Sequence, residues 1–184
     1  MTVFRRILPA EIRSYRAHLL RLSMDDRRAR FMGAVSDDAV DAHCRRIDWS
    51  RAVIVAAFVR GEIRGATELR LEREGAQEGE LAVSVEQDWQ GQGIGTTLVR
   101  RVLTIARNRG IRRLCVVCLP ENRRMQRIAT TLLGPCAFAY GEVSSHIELP
   151  PPTPITLAQE ALDRSTLPLS VMLDQWQGEP ARAA

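Results

Sequence analysis

The chain contains no lysine. All 26 of its basic residues are arginine, set against 22 acidic residues for a net charge of +4. A P-loop ends in Gly-Lys-Ser/Thr, so that route to ATP or GTP is closed. The small positive balance is scattered along the chain and is not the footprint of a nucleic-acid binder, so no nucleic-acid partner is expected. It suits attraction of a small anion. No apolar run approaches the roughly 18 residues of a membrane span, so no membrane association is expected. The opening stretch, MTVFRRILPAEI, lacks the long apolar segment of a secretory signal, and a cytoplasmic location is the expectation.

Metal and thiol chemistry are equally poorly supplied. The three histidines, His18, His43 and His146, show no metal-ligand spacing, and no metal is expected. Cys115 and Cys118 form a C-x-x-C, but Val116 and Val117 between them belong to a strand pattern. Period-two alternation then points the two thiols to opposite faces, which suits buried cysteine rather than a metal knuckle or redox pair. Cys136 has no histidine near it in sequence to make it a nucleophile.

What is present is one domain's worth of patterned chain: 184 residues, 45% hydrophobic and 26% charged. Residues 3–8 read as a strand, and Pro9 opens a helix carrying Ile12, Tyr15, Leu19 and Leu22 at helical spacing. Ser23 with Asp26 resembles a shortened capping box. The helix it starts would carry Arg27, Arg28 and Arg30 outward and bury Met24 or Phe31. Ser36 caps a third helix running to about Ile47. Residues 52–59, 63–72 and 81–85 then read as three strands with links too short for crossover helices, hence an antiparallel meander. Ile94, Leu98, Val102 and Ala106 make one apolar stripe on a long helix, ended by Gly110. Residues 113–119 return as a strand, parallel to the one before the helix. Asn122 caps a further helix with Met125, Ile128, Ala129, Leu132 and Leu133 on its buried face. Residues 138–149 carry two short strands turning at Gly141-Glu142. A proline-led extension, residues 150–184, follows the domain of residues 1–149. A short helix near residues 157–162 and an apolar patch at residues 167–173 are its candidate docking elements.

Between the third strand and the long helix stands Gln90-Gly91-Gln92-Gly93-Ile94-Gly95. Glycines permit tight turns and close approach of a ligand to backbone. Free N–H groups at a helix start, from about Gln90 to Thr96, converge as donors for a phosphate or pyrophosphate. The spacing is not the dinucleotide fingerprint, because Thr96 stands where the last glycine would be. Glycines that merely close a strand-helix turn are the plainer reading, but three alternating glycines flanked by glutamines exceed that need.

Gln90-x-x-Gly93-x-Gly95 resembles the Q/R-x-x-G-x-G/A signature of the GNAT superfamily of N-acetyltransferases, and the order of elements over about residues 3–149 is similar to that fold. The resemblance implies an α+β (α/β/α) architecture. Its central sheet is mixed and mostly antiparallel, a parallel pair flanks the signature helix, and helices cover both faces. It also implies acetyl-CoA as the acyl donor. Gln90, Gly91, Gln92, Gly93, Ile94, Gly95 and Thr96 would hold the pyrophosphate, the backbone of Ala82, Val83 and Val85 the pantetheine arm, and Asn122 and Met125 the far side. More narrowly, Glu80-Leu81-Ala82-Val83, Asp88-Trp89-Gln90-Gly91 and Leu119-Pro120-Glu121-Asn122-x-x-Met125 resemble bacterial protein lysine acetyltransferases that act on acyl-CoA synthetases. The large partner domains of those proteins are absent from this sequence.

The implied reaction is attack of an amine on the thioester carbonyl with departure of the CoA thiolate, which calls for a base and for alignment. Glu80 matches the glutamate that serves as base in the lysine acetyltransferases, and Glu68 on the neighbouring strand is the second candidate. The backbone N–H of Val83 could polarise the carbonyl. Trp89 is expected to pack under the loop. No tyrosine occupies the region after the last helix where many members place a general acid; Tyr140 is the nearest. The acceptor is an amine, either a small molecule or a protein lysine, and Asp37, Asp38, Asp41 and Glu74 are candidates to attract it. Homodimerisation is left open. The alternative to an active transferase is a catalytically weak or inactive CoA-binding regulatory module.

Overall fold

The structure is a computed structural model that describes residues 1–165. A seven-stranded sheet runs in the order β1-β2-β3-β4-β5-β7-β6. Its strands are β1 (Thr2–Arg6), β2 (Ala52–Val59), β3 (Glu62–Leu71), β4 (Glu78–Val85), β5 (Arg113–Cys118), β6 (Cys136–Ala139) and β7 (Glu142–Glu148). The β4–β5 pair is parallel and the other neighbouring pairs are antiparallel. Three helices precede β2: α1 (Ile12–Arg21), α2 (Met24–Phe31) and α3 (Asp37–Arg45). The signature helix α4 (Ile94–Asn108) links β4 to β5, α5 (Arg123–Leu132) follows β5, and α6 (Pro154–Ser165) ends the described chain.

Alternation along the central strands sorts the core into two layers. Val53, Val55, Leu69, Leu81, Leu114 and Val116 face α4 and α5, while Ile54, Ala56, Phe58 and Ala66 face α1 and α3. Helices therefore cover both faces, as the family resemblance implied. The caps also form: Ser23 accepts from the Asp26 N–H, Ser36 from the Ala39 N–H and Asn122 from the Met125 N–H. Each satisfies a donor that the first helical turn leaves without a partner.

Two expectations change. The Met24–Phe31 helix exposes Met24 (88%) and buries Arg30 (9%). A buried carboxylate beneath it, Glu68, outweighs the apolar pattern of an eight-residue helix. Strand β4 starts at Glu78 rather than Leu81, so Glu80 lies inside the strand. Gly79, which reads as loop in the sequence, packs closely there: a Cβ would meet Leu69 Cδ1 at 2.9 Å and Leu114 Cδ2 at 3.1 Å, so those leucine side chains would have to shift.

In the extension, Asn108 Nδ2 donates to the Thr156 carbonyl at 2.7 Å and to Glu160 Oε2 at 2.9 Å, docking α6 on α4. The apolar patch at residues 167–173 lies outside the described residues. Cys115 and Cys118 do point apart: Cys118 is buried in the core below α4, whereas Cys115 is half-buried near His146. Among the described residues no helix is long and apolar enough to cross a membrane, and no cluster of metal-ligating side chains occurs.

Candidate active site

Strands β4 and β5 pair only from Glu78↔Arg113 to Glu80↔Cys115. Beyond Glu80 they diverge, and a cavity of about 450 Å³ opens between β4, the glycine loop, α2 and α5. Gly91 and Gly93 stand at φ +75° and +79°, the left-handed region that side chains disfavour. Gly93 is the N-cap of α4, and the first helical bond runs from the Thr97 N–H to its carbonyl at 3.0 Å. The N–H groups of Ile94, Gly95 and Thr96 therefore have no acceptor within the helix and mark an anion cradle. Gly95 lets α5 approach, since a Cβ would meet Ile128 Cδ1 at 3.1 Å.

Of the residues that the family resemblance assigns to the acyl donor, Val83, Val85, Gln90, Gly91, Gly93, Ile94, Gly95, Thr96, Asn122 and Met125 all border this cavity. Ala82 borders a different notch, and Gln92 turns outward to donate to the Asp88 carbonyl at 3.1 Å. Trp89 borders the cavity and packs on the core, as expected of a residue under the loop. Asp26 and Ala29 of α2 and Arg124 and Arg127 of α5 also line the wall and were not foreseen. The arginines carried a signal, being three apart on a helix and thus on one face. Asp26 carried none, because its place depends on how α2 crosses the sheet. The backbone donors of the loop and the two cationic side chains suit an anionic ligand.

The two candidate bases differ sharply. Glu80 is exposed on a notch of about 150 Å³, lined also by Arg30, Phe31, Arg70 and Ala82. Glu68 is only 3% exposed. It accepts from Tyr15 Oη at 3.0 Å, Arg30 Nη2 at 2.6 Å and His43 Nε2 at 2.9 Å. Burial pushes its carboxyl up in pKa, but the His43 hydrogen bond and the Arg30 charge outweigh that and hold it at about 2. Its partners Tyr15, Arg30 and His43 lie far apart in sequence, and no spacing rule joins them. Neither tyrosine borders the 450 Å³ cavity: Tyr15 is buried under Glu68, and Tyr140 is fully exposed at the β6–β7 turn.

A second buried carboxylate, Glu86, sits just past the end of β4. It receives Arg21 Nε at 3.0 Å, Arg64 Nη1 at 2.9 Å and His18 Nδ1 at 3.0 Å. Burial raises its pKa, but these bonds hold it at about 2. His18 Nε2 in turn lies 2.9 Å from Ser84 Oγ, and Ser84 borders the cavity.

A splayed parallel pair, a backbone anion cradle at a helix start and the cavity between them define the class, an α/β/α acyltransferase fold. The profile described as "Acetyltransferase (GNAT) family" matches residues 18–134, and the chain belongs to that family of acetyl-CoA-dependent acetyltransferases. It is 31% identical over 125 residues to "Acetyltransferase PA5475" of Pseudomonas aeruginosa, covering 64% of this chain and 66% of that relative. Among solved structures it is similar to the GNAT domain of S. lividans PAT, with TM-score 0.65 and 22% identity over 79% of this chain and 89% of that one. It is also similar to a cAMP-binding acyltransferase from Mycobacterium smegmatis, with TM-score 0.60 and 19% identity over 94% of this chain but 52% of that one. A third is the ribosomal-protein-S18-alanine N-acetyltransferase from Escherichia coli, with TM-score 0.61 and 13% identity over 84% and 97%. At these identities the structural likenesses show the fold alone. The chain spans just under two thirds of the Pseudomonas relative and about half of the mycobacterial one.

Proposed function

We propose that the chain transfers an acetyl group from acetyl-CoA to a primary amine by direct attack, with Glu80 as the base. The observation that carries this reading is the position of Glu80. It stands at the last paired rung of β4 and β5, exposed, where the sheet opens toward the cavity. Bound acetyl-CoA supplies the activated carbonyl and a thiol leaving group whose low pKa reduces the need for an acid. The chain supplies the cradle for the diphosphate, the β4 backbone for the arm, with the Val83 N–H near the carbonyl, and a carboxylate to take the ammonium proton. Glu68 serves the site differently. Three donors converge on its Oε2, Arg70 lies 3.5 Å from its Oε1 and Arg30 matches its charge, so it holds α1, α2 and α3 to β3 rather than accepting a proton.

A protein lysine is the acceptor we put first. The motifs around Glu80 and Asn122 resemble lysine acetyltransferases, and a chain without lysine cannot acetylate its own side chains. A cytoplasmic setting and a partner other than nucleic acid go with that reading. The test is thiol release from acetyl-CoA across a panel of small amines and proteins, with Glu80→Gln as the control. Turnover that is unchanged by Glu80→Gln would remove Glu80 from the mechanism, and absence of CoA binding would remove the whole reading. The second reading, a CoA-binding module with weak or no turnover, draws on the absence of a tyrosine from the cavity wall. CoA binding without turnover on any amine would favour it.

A further inference from the structure

Behind β4 lies a buried relay to which acetyl transfer assigns no part. Ser84 is 6% exposed and His18 has no exposed surface. Ser84 Oγ is 2.9 Å from His18 Nε2, and His18 Nδ1 is 3.0 Å from Glu86 Oε1. Serine, imidazole and carboxylate thus stand in the order of a hydrolase triad. The surrounding charges argue against a nucleophile. Glu86 already faces two cations, Arg21 and Arg64, and burial holds His18 below its ordinary pKa, so a third positive charge on the imidazole has little support.

The hydrogens have one consistent arrangement. An ionised Glu86 can only accept, so His18 carries its proton on Nδ1 and presents Nε2 as an acceptor. Ser84 must then give its single hydrogen to Nε2, away from the cavity. What its oxygen keeps is lone pairs, on a residue that borders the cavity wall. Along β4, Ser84 lies between the loop that would hold the diphosphate and Glu80, four residues from the latter and roughly 13 Å at strand spacing. An acyl donor stretched from the loop to Glu80 passes it. The arm of that donor, between diphosphate and thioester, contains two secondary amides, each with one N–H to place.

We propose that Ser84 is a donor-binding residue that accepts an amide N–H of the pantetheine arm, with His18 and Glu86 as positioning residues that fix its hydroxyl as an acceptor. The inference rests on the CoA-dependent reading above, and its test separates the two. Calorimetry would compare binding of CoA and of adenosine 3′,5′-bisphosphate, which lacks the arm, to the parent and to Ser84→Ala. The expected result is about a five- to tenfold loss of CoA affinity in the variant, in the range of one hydrogen bond, with nucleotide affinity unchanged. Equal CoA affinity in parent and variant overturns the inference and leaves the proposed function standing, whereas a parent that does not bind CoA overturns both. Nitrogen NMR of the parent should show His18 neutral with its proton on Nδ1; a proton on Nε2 overturns the assignment. An acetyl group on Ser84 after incubation with acetyl-CoA, seen by mass spectrometry, also overturns it, because Ser84 would then be a nucleophile.

Discussion

The Gln90 amide donates to Asp26 Oδ1 at 2.9 Å, joining the glycine loop to helix α2 across the mouth of the cavity. The same nitrogen donates to the Val85 carbonyl at 2.9 Å, and the amide oxygen accepts from Arg124 on α5. One side chain therefore ties together three walls of the site. Only an amide can do this, because the task needs donors on one end and an acceptor on the other.

Replacing Gln90 should loosen that frame before it unfolds the protein. Gln90→Ala is expected to weaken CoA binding about tenfold and to lower stability by about 1–2 kcal/mol, the scale of a few partly exposed hydrogen bonds. Gln90→Glu should be worse, since it sets a second carboxylate against Asp26. Calorimetry and thermal melts measure both effects. Unchanged affinity in both variants would mean that the loop keeps its shape without the amide.

The loop glycines should separate strain from function. Gly91, Gly93 and Gly110 share nearly the same left-handed φ, +75°, +79° and +75°, with open space around the missing Cβ. Alanine at each should cost about 1 kcal/mol of stability from backbone strain alone. Only Gly91→Ala and Gly93→Ala should also lose CoA affinity, because Gly110 ends α4 at the far end from the cradle. Equal loss of affinity in all three would show that the effect is a general one on folding.

The two candidate glutamates should split in opposite directions. Glu80→Gln is expected to lower kcat by about 10²–10⁴, the range for loss of a positioned base, and to leave stability within about 0.5 kcal/mol. Glu68→Gln strips the charge that Arg30 is buried against and should cost about 3–5 kcal/mol. Denaturant titration and steady-state rates give the two numbers. A Glu68 variant that melts normally but does not turn over would reverse the assignment.

Much of this was legible in the sequence because it is local. Ser23, Ser36 and Asn122 announce their helices through hydrogen bonds three residues away, and strand alternation sorts Cys115 from Cys118. Gly91 and Gly93 mark backbone that only glycine takes readily. The charge networks were not legible. Glu68 reads as a polar residue in a strand, and its status as a buried, triply bonded carboxylate depends on three helices crossing above it. The burial of Arg30 follows from that same meeting. His18, Ser84 and Glu86 are likewise 66 and 68 residues apart in sequence, joined only by how α1 lies across β4.

The buried network should make stability depend on pH in a definite direction. The Glu68 and Glu86 carboxyls fall from an ordinary value of 4.5 to about 2 in the fold, and His18 falls below its ordinary 6.5. Below those ordinary values the unfolded chain takes up protons that the folded chain refuses, so stability rises with pH. The carboxylate contribution is complete above about pH 4.5 and is lost as pH falls toward about 2, while the His18 effect begins near 6.5. The melting temperature should therefore decline gently from pH 6.5 and more steeply below 4.5. His18→Gln should be less stable at neutral pH but should flatten the segment between pH 6.5 and 5, leaving the acid limb in place. Parallel curves for parent and variant across that segment, by circular dichroism melts, would mean that His18 takes up a proton as readily in the fold as in the unfolded chain, and the burial that holds it neutral below pH 6.5 would be disproved.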